Sequence, residues 1–415
     1  MSSISTQPFT CNGRHYTPPA RPIVVICLDG SADEYLDCAL ARGRMPRTQV
    51  LICHGYRGKV RGALPSFTNV NNASIVTGVP PSIHGISGNY FLDPDSGEEV
   101  MMNSAKFLRV GTLLAEASHS GRRVGMVTAK DKLREMLSHG MQGIGFSAEK
   151  ADTVTLETHG IADALTLVGK PLPKIYSPEA SLFTLQAGVA LLRAERCDLL
   201  YLSLTDYMQH SYSPEDPEAL LFYANIDTEI GNLLDAGAIV AATADHGMNA
   251  KQRHDGSPNV LYLETLLTEE FGAGIKVILP ITDPYVKHHG ALGSFAVVHL
   301  PLSVAVERVY SFINTLEGIT EVYRREEAVR RLELPSDRIG ELVVLSGRDV
   351  VIGRTEAYHD ISALEGGLRS HGGRYEEMVP LLLSEPLTPT YYRKAQADPR
   401  NFDIFDFAIN GGASC

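Results

Sequence analysis

The stretch AIVAATADHGMNAK, residues 238–251, begins as a run of small and β-branched apolar residues and breaks at Asp245-His246-Gly247. A run with no polar alternation predicts a strand buried on both faces. An acid and an imidazole then stand at its tip. Neighbours on a continuing strand point to opposite faces, but a strand that opens into a glycine turn can aim both at one place. A surface turn would use the same Asp-His-Gly. The buried run before it favours function, because such a strand delivers its tip to a fixed position.

The pattern recurs along the chain. PIVVICL (22–28) reads as a second buried strand, ended by Asp29-Gly30, and SADEYLDCALARG (31–43) as the helix after it. GYRGKVRGALPSF (55–67) is a loop or edge strand, punctuated by glycine and proline. TNVNNASIVTG (68–78) predicts a short helix starting at Thr68 and stopped by Gly78. Residues 110–121 form a helix and 122–130 a strand; a strong helix over 177–197 precedes the strand DLLYLSL (198–204). The helix over 214–237 carries Phe222, Ile226, Ile230 and Leu233 on one face. Apolar strands alternating with helices predict an α/β fold, a mostly parallel sheet sandwiched by helices. Ligands of such sheets gather beyond the carboxyl ends of the strands. After His254 the rhythm shifts to strands, a helix (303–318) and short strands (319–325, 341–347, 349–353). This predicts an α+β cap over 256–369 with its own small core, inserted into a catalytic core made of 1–255 and 370–415. Residues 378–383 return as one more apolar strand of that core.

Composition narrows the function. The chain has 415 residues, 44% of them hydrophobic, enough for a large core. A formal charge of −12 argues against nucleic acid, whose phosphates need a basic footprint. An anionic substrate would need local positive charge from metal ions or a few placed Lys and Arg. The six cysteines (Cys11, Cys27, Cys38, Cys53, Cys197 and Cys415) form no CxxC pair, so a disulfide framework is not expected. No secretion signal and no membrane span of about 20 apolar residues is read. A soluble cytoplasmic protein, without membrane partner, is the expectation.

Polar residues mark four strand ends: Asp29; Asp206 with His210; Asp245 with His246; and His371 before GGRYEEMVPL. Thr68 joins them at a helix start behind a proline turn. Each has a plain reading. Asp often caps a helix, Asp206 and His210 are spaced like any pair on a solvated helix face, and His371 sits in ordinary loop composition. Together they put three carboxylates and three imidazoles at one edge of one sheet. Without a cation, like charges would be forced together. Two divalent ions resolve this, and oxygen and nitrogen donors without cysteine suit Zn²⁺.

These residues lie in VVICLDG, PSFTNVNNASIVTGVPPSIHGISGNYF, SLTDYMQHSYSPED, TADHGM and SHGGRYEEMVPL, which occur in that order and span the chain except the cap. The set resembles the alkaline phosphatase superfamily, and the threonine segment followed by HGISGN is similar to its nucleotide pyrophosphatase/phosphodiesterase branch. The resemblance implies an alkaline phosphatase-like fold and two zinc ions per chain. One would be held by Asp206, His210 and His371; the other by Asp29, Asp245, His246 and the oxygen of Thr68, the nucleophile. Asn89 matches the position whose amide contacts a phosphoryl oxygen. The N-terminal dipole and N–H groups of the Thr68 helix would also favour a phosphoryl anion.

Within that branch the resemblance extends to enzymes that split the carbon–phosphorus bond of phosphonoacetate, with phosphodiesters as the alternative substrate and a non-catalytic metal- or phosphate-binding relative as a further reading. A phosphodiester leaves as an alkoxide. Phosphonoacetate must leave as a carbanion, feasible when the charge delocalises into the adjacent carboxylate. That needs cations at the carboxylate. Lys130 and Lys132, in VTAKDKLREML after a strand, are similar to the lysines that hold it; otherwise they are a solvated helix start. His288, His289 and Arg374 are lesser candidates, and His84, His119, His139 and His254 are read as structural or solvent-facing. A homodimer is the assembly carried with this reading.

Overall fold

A computed structural model gives the structure of residues 4–282, 290–361, 364 and 367–413. The main sheet contains β1 (Ile23–Cys27), β2 (Tyr56–Arg61), β3 (Val124–Thr128), β4 (Gly143–Ser147), β5 (Leu199–Ser203) and β6 (Ile239–Thr243), the apolar runs supplying β1, β3, β5 and β6. Four further strands, β7 (Lys276–Ile278), β8 (Phe295–His299), β9 (Ile319–Arg324) and β10 (Leu342–Ser346), make a separate sheet, and β11 (Met378–Leu383) returns to the first. The main sheet runs β2-β11-β6-β1-β5-β3-β4. β6, β1, β5, β3 and β4 pair in parallel; β11 is antiparallel to both β6 and β2. Every residue of β1, β5 and β6 is buried. Strand side chains alternate between faces, so both faces of the sheet centre are covered.

The helices that matter for the site are α1 (Thr68–Thr77), α2 (Pro178–Arg193), α3 (Tyr207–Ser211) and α4 (Pro217–Asp235). In α4 the expected stripe is the buried one: Phe222, Ile226, Ile230 and Leu233 all face inward. Ser177 caps α2 by accepting from the Ala180 amide, and Pro178 occupies the first turn, where its missing N–H costs nothing.

Several elements escaped the sequence reading, among them the helices Pro46–His54, Leu263–Phe271, Pro389–Gln396 and Ile404–Asn410 and the two that follow. β4 is GIGFS, whose glycines weaken any strand pattern, and it forms because β3 supplies a parallel partner. A helix at Arg325–Leu332 is strongly charged and follows β9 directly. The second sheet, ordered β7-β8-β10-β9, is antiparallel throughout. Its apolar residues do not form a separate core: Phe295, Val297, Leu342 and Val344 belong to the same continuous buried cluster as Ile23 and Val240. Hydrogen bonds reinforce the contact. Arg338 Nη1 donates to the carbonyls of Gly85 and Phe107, both at 2.6 Å, and the Asn89 amide donates to Pro280 at 2.8 Å. Among the described residues no helix is long and apolar enough to cross a membrane.

Candidate metal centre

The strand ends are pinned to one another before they release their polar residues. The Leu28 amide donates to Thr243 at 2.8 Å and the Leu204 amide to Cys27 at 3.0 Å, so β1, β5 and β6 finish at one level. Asp29, Asp206 and Asp245 follow within three residues of those ends. Gly30 makes the approach feasible: its φ is +71°, and a Cβ there would lie 2.9 Å from Asp206 Cβ. His371 enters from the other side. The short strand Arg369–Ser370 pairs with Asn249–Ala250, which brings the His371 loop beside the turn carrying His246. Gly372, at φ +118°, would drive a Cβ to 2.4 Å from the Phe67 ring.

All three imidazoles are oriented by the same device. Nδ1 of His210 donates to the Arg369 carbonyl at 2.8 Å, that of His246 to Gly247 at 2.9 Å, and that of His371 to Ser66 at 2.8 Å. A proton on Nδ1 leaves Nε2 as the electron-pair donor, the arrangement typical of metal-ligating histidines. The Nε2 atoms face the carboxylates. His210 Nε2 lies 3.1 Å and His371 Nε2 3.9 Å from Asp206 Oδ2. His246 Nε2 lies 3.3 Å from Asp29 Oδ1 and 3.7 Å from Asp245 Oδ2. The His246 and His371 rings stack at 3.5 Å.

Two buried donor triads result: Asp206, His210 and His371; and Asp29, Asp206 and His246, each with donor atoms within 4.8 Å of one another. Asp206 therefore reaches both, where the sequence reading placed it in one set. Asp245 is a member of neither triad; its Oδ2 stands beside the second, 3.7 Å from His246 Nε2, and its Oδ1 accepts from the amides of Gly30 at 3.2 Å and His246 at 3.0 Å.

The charge balance tests whether a cation fits. Neither oxygen of Asp29 accepts a hydrogen bond, although both are buried. Burial, then Asp206 and Asp245, push its carboxyl up to about 8. Burial opposes ionisation of Asp206 too, but Lys130 and His210 hold it well below the ordinary carboxylate range. A buried, unsatisfied carboxylate beside two others is costly unless a cation accompanies it. Imidazole and carboxylate donors without thiolate are a set that divalent ions accept. The residues fit a two-metal centre.

Thr68 is the first residue of α1, and its Oγ1 lies 3.4 Å from His246 Nε2. Asn89 Oδ1 accepts from the Asn69 amide at 3.0 Å. One of the expected N–H groups of that helix terminus is thus already used, and it fixes Asn89 with its NH₂ as the remaining donor end. Lys130 is not a solvated lysine. Its Nζ lies 2.9 Å from Asp206 Oδ1 and 3.8 Å from Asp29 Oδ2, over the Tyr176 ring at 4.8 Å. Lys132 is half-buried in the turn Asp131–Leu133 that follows.

The lesser candidates separate. Arg374 grips Glu321 of β9 through Nε at 3.0 Å and Nη2 at 2.7 Å, so it ties the insertion down. His288 and His289 lie outside the described residues. His84 is buried with Nε2 on Ser74 Oγ at 2.8 Å and Nδ1 accepting from the Ile86 amide, a structural role; His119, His139 and His254 are exposed.

Three contributors escaped the sequence reading. Asn72 touches Asp245; Tyr176, at φ +51°, donates its hydroxyl to Asp206 Oδ1 at 3.2 Å; and Glu376 joins the His246 and His371 loops. Asn72 left a trace in TNVNNA, because asparagines are poor helix formers and all ten residues of α1 are buried. Tyr176 and Glu376 left none.

The profile of the family described as type I phosphodiesterase / nucleotide pyrophosphatase matches residues 23–374. The chain belongs to that family. It is similar to phosphonoacetate hydrolase from Sinorhizobium meliloti 1021, solved with phosphonoformate and with phosphonoacetate: identity is 45%, 100% of each chain is covered, and the TM-score is 0.93. Murine ectonucleotide pyrophosphatase/phosphodiesterase 5, solved as an inactive form with AMP, is 16% identical over 95% of this chain and 96% of that one, with a TM-score of 0.61, a likeness of fold alone. An ectonucleotide pyrophosphatase/phosphodiesterase of Caenorhabditis elegans is 38% identical over 84 residues, 20% of this chain and 10% of that protein. The chain thus spans a tenth of that curated relative's length. The alkaline phosphatase-like architecture expected of a type I phosphodiesterase family member, a helix-flanked, mostly parallel sheet, is borne out.

Proposed function

We propose that this chain hydrolyses the carbon–phosphorus bond of phosphonoacetate to acetate and phosphate through a phosphothreonine at Thr68. Full-length similarity to an enzyme solved with phosphonoacetate supports the reading, and one local observation carries it: the Lys130 ammonium stands among the buried carboxylates, 2.9 Å from Asp206. An alkoxide leaving group does not call for a cation at a substrate carboxylate; a carbanion that must become an enediolate does.

The residues divide the work. Asp206, His210 and His371 would hold one ion, and Asp29, Asp245, His246 and Thr68 Oγ1 the other, with Asp206 within reach of both and zinc as the metal. Bound there, zinc supplies Lewis-acid charge to the transferring phosphoryl group. Thr68 Oγ1 gives up its proton to solvent and attacks phosphorus as the P–C bond breaks, and the bond's electron pair passes to the methylene carbon and into the carboxylate. Lys130 and Lys132 hold that carboxylate. Asn89 donates its NH₂ to a phosphoryl oxygen. The carbanion takes a proton from solvent and leaves as acetate; water then cleaves the Thr68 ester, restoring the hydroxyl and releasing phosphate. Residues 256–369 act as the cap over this site. The five described cysteines are all free thiols, which supports a reducing, cytoplasmic location.

The test pairs phosphonoacetate with bis(p-nitrophenyl) phosphate. Wild type releases acetate and phosphate in equal amounts. Lys130→Ala loses about 100-fold or more in kcat/KM on phosphonoacetate, the scale for one placed charge-stabilising group, and far less on the diester. Equal losses would remove the lysine from carboxylate recognition. A wild type that turns over the diester and not phosphonoacetate would make the chain a phosphodiesterase.

A further inference from the structure

We infer that Asn72 is a positioning residue that locks the metal-facing carboxylate of Asp245 to the first turn of the helix bearing Thr68. The inference rests on the two-metal reading above and deepens it. Asn72 is fully buried in α1, and its amide has both ends engaged. Nδ2 donates to the Thr68 carbonyl at 3.0 Å and to Asp245 Oδ2 at 3.3 Å. Oδ1 accepts from Tyr201 Oη at 2.7 Å and Ser203 Oγ at 2.9 Å. The orientation is forced, because a carbonyl and a carboxylate can only accept, so the NH₂ must face them.

This geometry does what packing alone would not. Asp245 Oδ1 is held by the Gly30 and His246 amides, which leaves rotation about the carboxylate axis to be set at Oδ2. Asn72 sets it, and Oδ2 is the oxygen 3.7 Å from His246 Nε2. The anchor is rigid: Tyr201 and Ser203 are on one face of β5, two residues apart in the sheet centre. One amide therefore couples the nucleophile's turn, a metal ligand and the sheet. Ligand-orienting partners of this kind change metal affinity about 10- to 100-fold when lost.

The experiment titrates Zn²⁺ into chelator-stripped wild type, Asn72→Asp, Asn72→Ala and Tyr201→Phe, against a chromophoric chelator, with thermal midpoints of the stripped proteins. Wild type takes up two equivalents. Asn72→Asp keeps the side-chain size but turns an acceptor on two acceptors. It retains one equivalent at wild-type affinity, weakens the other about 10- to 100-fold, and lowers kcat more than it raises KM. Tyr201→Phe removes one of the two hydroxyls that hold the amide and weakens the same equivalent by less. Both equivalents weakening together with the stripped protein's midpoint would make Asn72 a purely structural residue and overturn the inference, as would two unchanged equivalents. Should the Asn72 variants fail to fold, an unchanged second equivalent in Tyr201→Phe overturns it. A wild type that takes up no zinc overturns the two-metal reading itself, and the two failures are thereby told apart.

Discussion

Thr68→Ala lowers kcat on phosphonoacetate by about 10⁴-fold or more, the scale on which enzymes lose rate when a covalent nucleophile is removed. The fold has little reason to respond. Thr68 is the first helical residue, the cap position before it is Phe67, and the hydroxyl's neighbour is His246 Nε2 at 3.4 Å. Most of the donor set stays in place, so metal content stays close to wild type. Acid-quenched wild type carries a phosphoryl group on the peptide containing Thr68, and the variant does not. A variant with near-normal turnover, or wild type without the adduct, would replace the covalent step with direct attack by water.

Lys251→Met destabilises the protein by about 3–5 kcal/mol, the usual consequence of stranding one partner of a buried ion pair. Lys251 and Glu376 are both fully buried and 2.8 Å apart. Burial pushes the Lys251 ammonium down and Glu376 pulls it back up. Lys251 also donates to the Arg348 carbonyl at 2.7 Å. Glu376 accepts from Asn249 Nδ2 at 2.6 Å and the Gly373 amide at 3.0 Å, while its carbonyl accepts from Gly247 at 2.8 Å. The pair thus fastens the loop after His246 to the loop after His371. Urea unfolding measures the loss, and Glu376→Gln added to Lys251→Met restores part of it by removing the stranded charge. A single variant within about 1 kcal/mol of wild type would show that the carboxylate finds another counter-charge.

The parts of the site carried by buried strands were legible in the sequence. PIVVICL, DLLYLSL and AIVAATA each announce a strand covered on both faces, and a polar residue just past such a run has a known address. Asp29, Asp206, Asp245 and His246 were found that way. Thr68 was readable from the helix signal between Pro65 and Gly78. What was not readable depends on contacts between distant segments. Nothing local says that Asp206 stands between both donor sets; that follows from Gly30 admitting it to the side of Asp29. VTAKDK places Lys130 just past a strand, where it could lean over the sheet edge, but lysines there ordinarily face water, so the sequence does not decide that it turns inward. The insertion reads as a unit with its own core because its elements change rhythm; Leu292, Val351 and Leu368 do form a small cluster of their own, while the apolar face of its four-stranded sheet is continuous with the main core. The weak strand GIGFS shows the same limit: its conformation is set by the neighbour it pairs with.

Elemental analysis of the purified chain, alongside Asp206→Asn, tests most directly whether these acids and imidazoles converge on a pair of cations. Wild type should hold two divalent ions per chain, and because Asp206 belongs to both triads the variant should lose affinity for both. Full hydrolysis of phosphonoacetate by protein with no bound metal would contradict the assignment outright.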